Sequence, residues 1–302
     1  MALATTALGF QDPADITNLL LKDSRDYSFV QRLGTRVNMT VAGGRYLTVN
    51  DISGGFVGTE GGAKPVSDPT TVKGDIAVRE WAVVVPISKR LFQYDRDGVV
   101  AAIRREIPAA LARDFDDLAT TGAGVSGQSS LADVTKSVTL AHGEVWQNLN
   151  QGLRLLATDK KRLTGTALDF VVEPGFNEEE DLNGRPLFVD SPVGPETNDV
   201  ARTGRLLGRP ATFVEQLSTD DPVTAASVVG YMGDWSRLAW GLVGGMEFTV
   251  STEGTYVQGG TTHSALQENL ILFRAEALLG VQVADEDAFV KLVAGNIIAE
   301  ES

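Results

Sequence analysis

A long stretch from Asn50 to Gly74 carries neither a helical nor a strand pattern, and it contains six glycines and two prolines. Loops longer than about 12 to 15 residues without regular structure are uncommon inside compact domains. Ordering such a loop costs conformational entropy that its own contacts must offset, and this stretch has few apolar residues with which to do so. We therefore expect residues 50–74 to be disordered or to be ordered by contacts with another surface.

Composition excludes several kinds of chemistry. The 302 residues include no cysteine, so the chain has no disulfide, thiolate metal site or thiol nucleophile. Forty acidic and 26 basic side chains give a formal net charge of -14, which argues against a dedicated nucleic-acid binder. No basic residue precedes Lys22, and no apolar run approaches the roughly 20 residues of a membrane span. We therefore expect a soluble protein that stays in the cytosol.

Two amphipathic helices are predicted. Apolar residues recur every three or four positions from Val99 to Leu118, which predicts a long helix over Asp97–Thr120. Pro108 lies inside this helix and predicts a kink there, or two abutting helices. The same periodicity predicts a helix over His142–Ala157, and a weak pattern predicts one turn over Asp15–Lys22. A further short helix before Gly175 to Asn183 is compatible with the pattern.

The remaining regular structure is predicted to be β, and the last third of the chain is especially rich in β-branched and aromatic runs. Gly244 and Gly245 are predicted to form a hairpin turn between two strands. The predicted strands are Arg45–Val49, Asp75–Val85, Leu168–Glu173, Pro186–Asp190, Ala211–Val214, Val228–Met232, Ser236–Val243, Met246–Ser251, Asn269–Val283 and Ala288–Val293.

Several short motifs are compatible with enzyme or metal chemistry. Gly122–Gly127 spells G-x-G-x-x-G, but it follows a predicted helix, whereas a dinucleotide-binding loop follows a strand. Glu179, Asp181, Asn183, Gly184 and Asp190 approach the spacing of a calcium loop, but a predicted strand follows at Pro186 in place of a second helix. His142 and His263 lie in no triad or metal-ligand spacing, and Lys160–Arg162 follows a helix whose dipole its charges complement. We therefore predict no catalytic, cofactor or metal site and no enzyme activity.

The glycine-rich stretch itself resembles a known family. Phe56–Asp68 reads FVGTEGGAKPVSD and is followed by AVVVPIS at Ala82–Ser88, and this pair resembles the extended loop of tailed-bacteriophage major capsid proteins. The long helix running into Gly122–Gly127 resembles that family's spine helix and its glycine-rich exit. Four further matches follow in the family's order: Asn183–Leu187, Leu206–Pro210, Gly233–Ser236 and Asn269–Lys291.

The resemblance spans about residues 30 to 292 and implies an α+β capsid subunit with a long spine helix. It implies an N-terminal arm (1–35), an extended loop with flanking strands (36–86), a peripheral domain with the spine helix (87–135 and 236–290), and an axial domain with a C-terminal tail (136–235 and 291–302). Hexamers and pentamers of such subunits would enclose double-stranded DNA in an icosahedral virion shell, without sequence-specific binding and without a membrane. We expect assembly in the host bacterial cytoplasm.

The resemblance also implies which residues matter. Intersubunit contacts are expected from the extended loop, a kink from the spine helix at Pro108, and turns from the axial domain. Only about 30 residues precede the matched region, so we expect a separate scaffolding protein or a leader already removed, with a portal and possible decoration proteins as further partners. Two alternatives remain open, an encapsulin-like nanocompartment shell and a soluble nucleotide- or metal-dependent enzyme. The expected loop contacts are Glu60, Lys64, Pro65, Asp68 and Lys73, and the expected turn residues are Gly184, Arg185, Gly208 and Arg209.

Overall fold

The computed structural model describes residues 28–50, 52–57, 63–68, 70–94, 98–122, 128–179, 188–190, 203–215, 217–218, 224 and 226–297. Within them the chain forms a four-stranded sheet, a seven-stranded sheet and two separate two-stranded ribbons. The helices are α1 (Phe29–Leu33), α2 (Lys89–Gln93), α3 (Val99–Thr121), α4 (Val145–Thr158) and α5 (Glu173–Glu178). The strands are β1 (Thr35–Arg36), β2 (Gly44–Asn50), β3 (Thr70–Ile76), β4 (Arg79–Ser88), β5 (Ser137–Leu140), β6 (Gly165–Asp169), β7 (Val189–Asp190), β8 (Thr203–Leu206), β9 (Arg209–Val214), β10 (Val228–Gly233), β11 (Leu238–Ser251), β12 (Thr255–Gln258), β13 (Thr261–Ser264), β14 (Leu270–Val283) and β15 (Phe289–Ala294).

The four-stranded sheet has the order β1-β11-β14-β4 and packs against the long helix α3. Strands β11 and β14 each have 14 residues and run antiparallel to each other, and β4 adds to the far side of β14. Leu111 and Phe115 of α3 share one core cluster with Trp240 of β11 and Ala277 of β14. The 3.6-residue apolar period of the helix therefore buries its stripe against the sheet, as the sequence predicted.

The prediction of one strand over Asp75–Val85 is wrong. The chain forms two strands there, and they belong to different sheets: β3 pairs with β2, whereas β4 pairs with β14. Strand β4 also continues past Pro86, which lies opposite Leu272. A proline cannot donate a ladder hydrogen bond, but β4 is an edge strand, so its other side needs no donor.

The predicted hairpin turn at Gly244-Gly245 is also wrong. Strand β11 runs through both glycines and pairs with β14 on either side of them, with a shift in register between Val243 and Glu247. Gly244 has φ of 70°, which glycine adopts without steric cost. The two glycines therefore form a β-bulge within one long strand. A hairpin turn and a bulge have the same sequence signal, because both need a residue with a positive φ.

The seven-stranded sheet has the order β5-β15-β10-β6-β9-β8-β7 and contains both parallel and antiparallel pairs. Helix α4 packs on it: Val145, Leu149 and Leu156 are fully buried in a second core cluster that includes Val138 and Leu292. Helix α4 begins three residues later than predicted, because residues 142–143 form a turn. The second cluster thus lies between α4 and the seven-stranded sheet, whereas the first also includes Ala167, Tyr231 and Phe289 of that sheet and so spans both sheets.

Helix α3 is one continuous helix of 23 residues with Pro108 inside it, so the alternative of two abutting helices is not observed. The kink at Pro108 remains a prediction. Gly98 and Gly122, with φ of 70° and 72°, lie at the two ends of the helix, and the Gly122 N–H donates to the Leu118 carbonyl. Glycine is favoured at both ends because it adopts the left-handed conformation without strain.

Other predicted bounds need correction. The strand predicted over Leu168–Glu173 ends at Asp169, and a short 3-10 turn and α5 follow it. Asp169 ends the strand by turning its carboxylate back onto the Val171 N–H at 3.0 Å. Strands β1, β5, β8, β12 and β13 have no counterpart in the prediction. The predicted turn over Asp15–Lys22 lies outside the described residues.

Candidate assembly surface

Strands β2 and β3 form a two-stranded ribbon, and we call residues 44–76 the finger. The strands pair antiparallel from Gly44 opposite Ile76 to Asn50 opposite Thr70. Beyond the last pair, the Ser53 N–H donates to Ser67 Oγ at 2.8 Å, which ties the two sides of the loop together again. Part of the predicted loop is therefore strand: Thr70–Gly74 belong to β3. Their Thr-Thr-Val run is typical of a strand, but the flanking proline and glycine favoured the prediction of a loop.

The described part of the finger tip presents apolar side chains to solvent. Phe56 is 108% exposed and Val66 is 95% exposed, and Ile52 also lies at the surface. A fully exposed phenylalanine forgoes about 1.5 to 3 kcal/mol that burial would contribute. Within the described residues of one copy, nothing covers these side chains.

The root of the finger is anchored to the four-stranded sheet. Ile76 is buried and forms a small cluster with Met39 and Ala239 of β11. This contact is close because the sheet carries Gly280 there: a methyl group on that glycine would lie 2.8 Å from Met39 Cε and 2.9 Å from Ile76 Cγ2. The finger therefore leaves the body of the subunit from a fixed base.

Tyr46 and Gly74 form a cross-strand pair near the root. They lie opposite each other in the ribbon, and a methyl group on Gly74 would lie 2.0 Å from Cζ of the tyrosine ring. The ring thus covers the glycine and fills the space that a side chain would occupy. This partial burial raises the pKa of Tyr46, and the charge of Asp75 raises it further.

The predicted loop contacts fall in different parts of the finger. Lys64, Pro65 and Asp68 are exposed in the loop. Lys73 lies within β3, with its backbone opposite Leu47. Glu60 lies outside the described residues, so its role stays a prediction. The structure therefore brings Lys64, Pro65 and Asp68 to one exposed segment and places Lys73 further down the ribbon.

The predicted axial turns are described only in part. Leu207 and Gly208 form the two-residue turn between β8 and β9, with φ of 54° and 73°, and Arg209 is exposed at the start of β9. Two consecutive residues with positive φ are typical of the tight turns that match the twist of a hairpin. Gly184 and Arg185 lie outside the described residues.

A buried carboxylate that sequence reasoning missed joins the chain's N-terminal segment to α3. Asp116 accepts hydrogen bonds from Ser28 Oγ at 2.6 Å, from Phe29 N at 3.1 Å and from Val30 N at 3.3 Å. Burial raises the pKa of this carboxyl to about 7, although the three hydrogen bonds and the charge of Arg32 each lower it. Asp116 belongs to a second stripe of α3, together with Ala112 and Ala119, which are also buried. This stripe of small residues is the feature of the sequence that could have indicated a second buried face of α3.

The candidate enzyme and metal motifs find little support. Gly122 ends a helix, as expected, and residues 123–127 lie outside the described part of the chain. His263 Nδ1 lies 2.9 Å from Glu268 at an exposed position, and Lys161 pairs with Asp285. Across the described ranges, no group of three or more histidine, aspartate or glutamate side chains could hold a metal ion. None of the helices in those ranges is long and apolar enough to cross a membrane.

Comparison with known proteins identifies a family and named relatives. Residues 9–294 match the model of the Phage capsid family. The chain is 31% identical over 285 residues to the probable major capsid protein gp17 of Mycobacterium phage D29, a match that covers 90% of this chain and 86% of the relative. It is 30% identical over 295 residues to the protein of the same name from Mycobacterium phage L5, covering 93% and 87%.

Solved structures share the fold at low sequence identity. A chain from Gordonia phage Cozz superposes with a TM-score of 0.69 at 18% identity, covering 89% of this chain and 87% of that chain. A chain from Mycobacterium phage Cain gives 0.63 at 13% identity, covering 97% and 94%. A chain described as the capsid of an empty GTA particle gives 0.56 at 16% identity, covering 88% and 89%.

Proposed function

The chain belongs to the Phage capsid family, and from that membership we propose that it is a major capsid subunit, whose copies assemble into the icosahedral shell around packaged double-stranded DNA. The α+β major capsid fold that the sequence predicted is confirmed. Both curated relatives are themselves named as probable major capsid proteins. The protein is in this view a structural component of the virion and not an enzyme.

The observation that carries the proposal is the exposed apolar tip of the finger. Phe56, Val66 and Ile52 project into solvent on a ribbon whose root is packed and whose backbone is paired. Exposed apolar groups on a defined element are typical of a surface that another chain covers. We propose that neighbouring copies in the shell cover them.

We expect the polar residues of the finger to fix the register of the contacts between subunits more than to strengthen those contacts. An exposed ion pair contributes about 0 to 1 kcal/mol, so Glu60, Lys64, Asp68 and Lys73 cannot hold a shell together one contact at a time. A closed ring of subunits makes each later contact effectively intramolecular, which strengthens many weak interfaces together. Because each single contact is weak, a misplaced subunit could still dissociate while hexamers and pentamers assemble.

The remaining partners follow from the same proposal. We propose a separate scaffolding protein, a portal and possible decoration proteins, and assembly in the host bacterial cytoplasm. The net charge of -14 suits a shell that encloses DNA without gripping it, since an acidic lining repels DNA only within the Debye length of roughly 8 Å. Gly184, Arg185, Gly208 and Arg209 would serve in turns of the axial domain.

The test is shell formation by the full-length chain, with and without a charge at the finger tip. We expect Phe56→Asp to abolish shells seen by negative-stain microscopy and sedimentation, because burying an unpaired carboxylate is costly. Phe56→Leu, which keeps an apolar side chain, is the matched control and should assemble. Normal shell yield from Phe56→Asp would overturn the proposed role of the finger, provided that both variants unfold at the wild-type temperature.

The contents of the particles decide between the two kinds of shell. Genome-length DNA supports the virion, whereas a copurifying enzyme would support the encapsulin-like nanocompartment. An unassembled chain that carries a stoichiometric nucleotide or metal would instead support the soluble enzyme.

A further inference from the structure

Two half-exposed aromatic residues lie at one end of the seven-stranded sheet. Strands β5 and β6 point the same way, since β10 runs antiparallel to both β6 and β15, and β15 runs parallel to β5. Trp146 follows β5 in the first turn of α4, and Phe170 follows β6 directly. The two residues are 49% and 51% exposed. The topology therefore brings both rings to the end of the sheet where these two strands finish.

Acidic side chains accompany these rings. Glu144 is the N-cap residue of α4 and is exposed. Glu178 of α5 lies at the same end, because its Oε2 is 3.8 Å from Nδ1 of His142, which precedes α4. Apart from this histidine, no basic side chain of the described residues pairs with either glutamate. We call Glu144, Trp146, Phe170 and Glu178 the aromatic patch.

The opposite end of α4 carries exposed basic side chains. The helix has 14 residues, so at 1.5 Å per residue its ends are about 20 Å apart. Arg154, Lys160 and Arg162 are exposed at this end, and we call them the basic patch. No carboxylate in the described part of the chain pairs with any of the three, because the aspartates near them are paired with other lysines. Those pairs are Asp159 and Asp287 with Lys136, and Asp285 with Lys161.

The two patches are complementary to each other. The helix dipole accounts for the charges at both ends of α4, but it does not account for the two exposed rings. Trp and Arg are among the residues most enriched where a protein interface contributes most to binding. A guanidinium binds over the face of an aromatic ring, and glutamates beside the ring add to the attraction. Because about 20 Å of helix separates the patches, those of one copy can meet only the patches of other copies.

We propose that the basic patch of one copy docks on the aromatic patch of the next, so that copies are joined head to tail. The inference rests on the proposed function, because it names a contact between copies in the shell, and it is separate from the contact of the finger tip. Each copy would use its two patches on two different neighbours. A contact of this heterologous kind forms a closed ring when the rotation between copies permits closure.

The test uses the absence of cysteine from the chain. Gln147→Cys places a thiol beside the aromatic patch, and Ala157→Cys places one beside the basic patch, both at exposed positions of α4. The two sites lie about 15 Å apart along the helix, so a bismaleimide shorter than this joins only different copies. Assembled particles of the double variant should give a ladder of covalent oligomers on a denaturing gel.

Each single-cysteine variant is the matched control and should stay monomeric on the gel, because a head-to-tail contact does not place the same residue of two copies side by side. Dimers from either single variant would mean that like ends meet, which would overturn the inference. Particles of the double variant that give no ladder would overturn it as well.

A charge-reversal cycle keeps the test decisive if the cysteine variants do not assemble. Arg154→Glu with Arg162→Glu, and Glu144→Lys with Glu178→Lys, should each lower the yield of particles by about tenfold or more, since like charges would then meet. The four changes together should bring the yield back to within about threefold of the wild type, because opposite charges face each other again. Losses that multiply in the combined protein would contradict the contact.

Lys89→Glu with Arg90→Glu is the control for this cycle. It reverses two exposed charges on α2, outside both patches, and should leave the yield within about twofold. Wild-type shells that form normally while the patch reversals change nothing would overturn this inference alone. A wild-type chain that stays monomeric would overturn the proposed function together with it.

Discussion

Two segments of this chain, Ser28–Leu33 and the finger, expose their apolar side chains to opposite degrees. In the segment Ser28–Leu33, Phe29 is 0% exposed, whereas in the finger Phe56 is 108% exposed. The first segment finds its partners in the same chain: Trp235, the sheets and a buried carboxylate. The described finger has such partners only at its root. Ser28–Leu33 is packed within its own chain, whereas the contact that we propose for the finger tip is with another copy.

The largest expected difference between the two segments is the loss of stability when Phe29 or Phe56 is replaced by alanine. Phe29→Ala should lower the free energy of unfolding by about 3 to 5 kcal/mol, because it leaves a cavity beside Trp235. The same change at Phe56 should alter it by no more than about 0.5 kcal/mol, since the side chain is already in water. Chemical denaturation of the unassembled chain measures both. Equal losses at the two positions would show that the finger is packed within its own subunit.

A smaller effect is expected at the root of the finger. Gly74→Ala should push the Tyr46 ring off the ribbon and cost about 0.5 to 1 kcal/mol, the usual size of a cross-strand pair. In a Tyr46→Leu background the same substitution should cost less, because the ring is gone. The measurement is the midpoint of thermal unfolding for the four proteins of this cycle. Additive losses would contradict the contact.

The smallest effect concerns the exposed ion pair of the ribbon. Arg45 Nε lies 3.0 Å from Asp75, and both side chains are more than three-quarters exposed. Asp75→Asn should therefore change the free energy of unfolding by less than about 0.5 kcal/mol, because solvent and salt screen the pair. Unfolding at low and high salt should give the same difference between the two proteins. A large loss that vanishes in salt would mean that the finger depends on charge.

Sequence reasoning was accurate where a pattern is local. The stripe from Val99 to Leu118 gave α3 within two residues at its start and one at its end, because helical periodicity depends only on neighbours three and four positions away. The glycine-rich stretch identified the finger and supported the family resemblance. Gly244-Gly245 was misread, since a turn and a bulge both ask for a positive φ and differ only in what the flanking residues pair with.

The candidate site could be predicted only in part. Lys64, Pro65 and Asp68 were placed correctly in an exposed loop, although their contacts with other copies remain predictions. Asp116 was not found, because its partners Ser28 and Phe29 lie 88 and 87 positions away along the chain. Read locally, it is one more polar residue on a helix next to Asp117.

The sequence by itself determined the periodic elements, the absence of thiol chemistry and the presence of a glycine-rich segment with few apolar residues. These properties depend on composition and on residues a few positions apart. Only the tertiary structure decided which of the two segments is buried, that β3 and β4 belong to different sheets, and that the Asp116 carboxylate joins Ser28–Leu33 to α3. Those outcomes depend on which distant surfaces meet, because burial and desolvation are properties of a packed environment and not of a residue type.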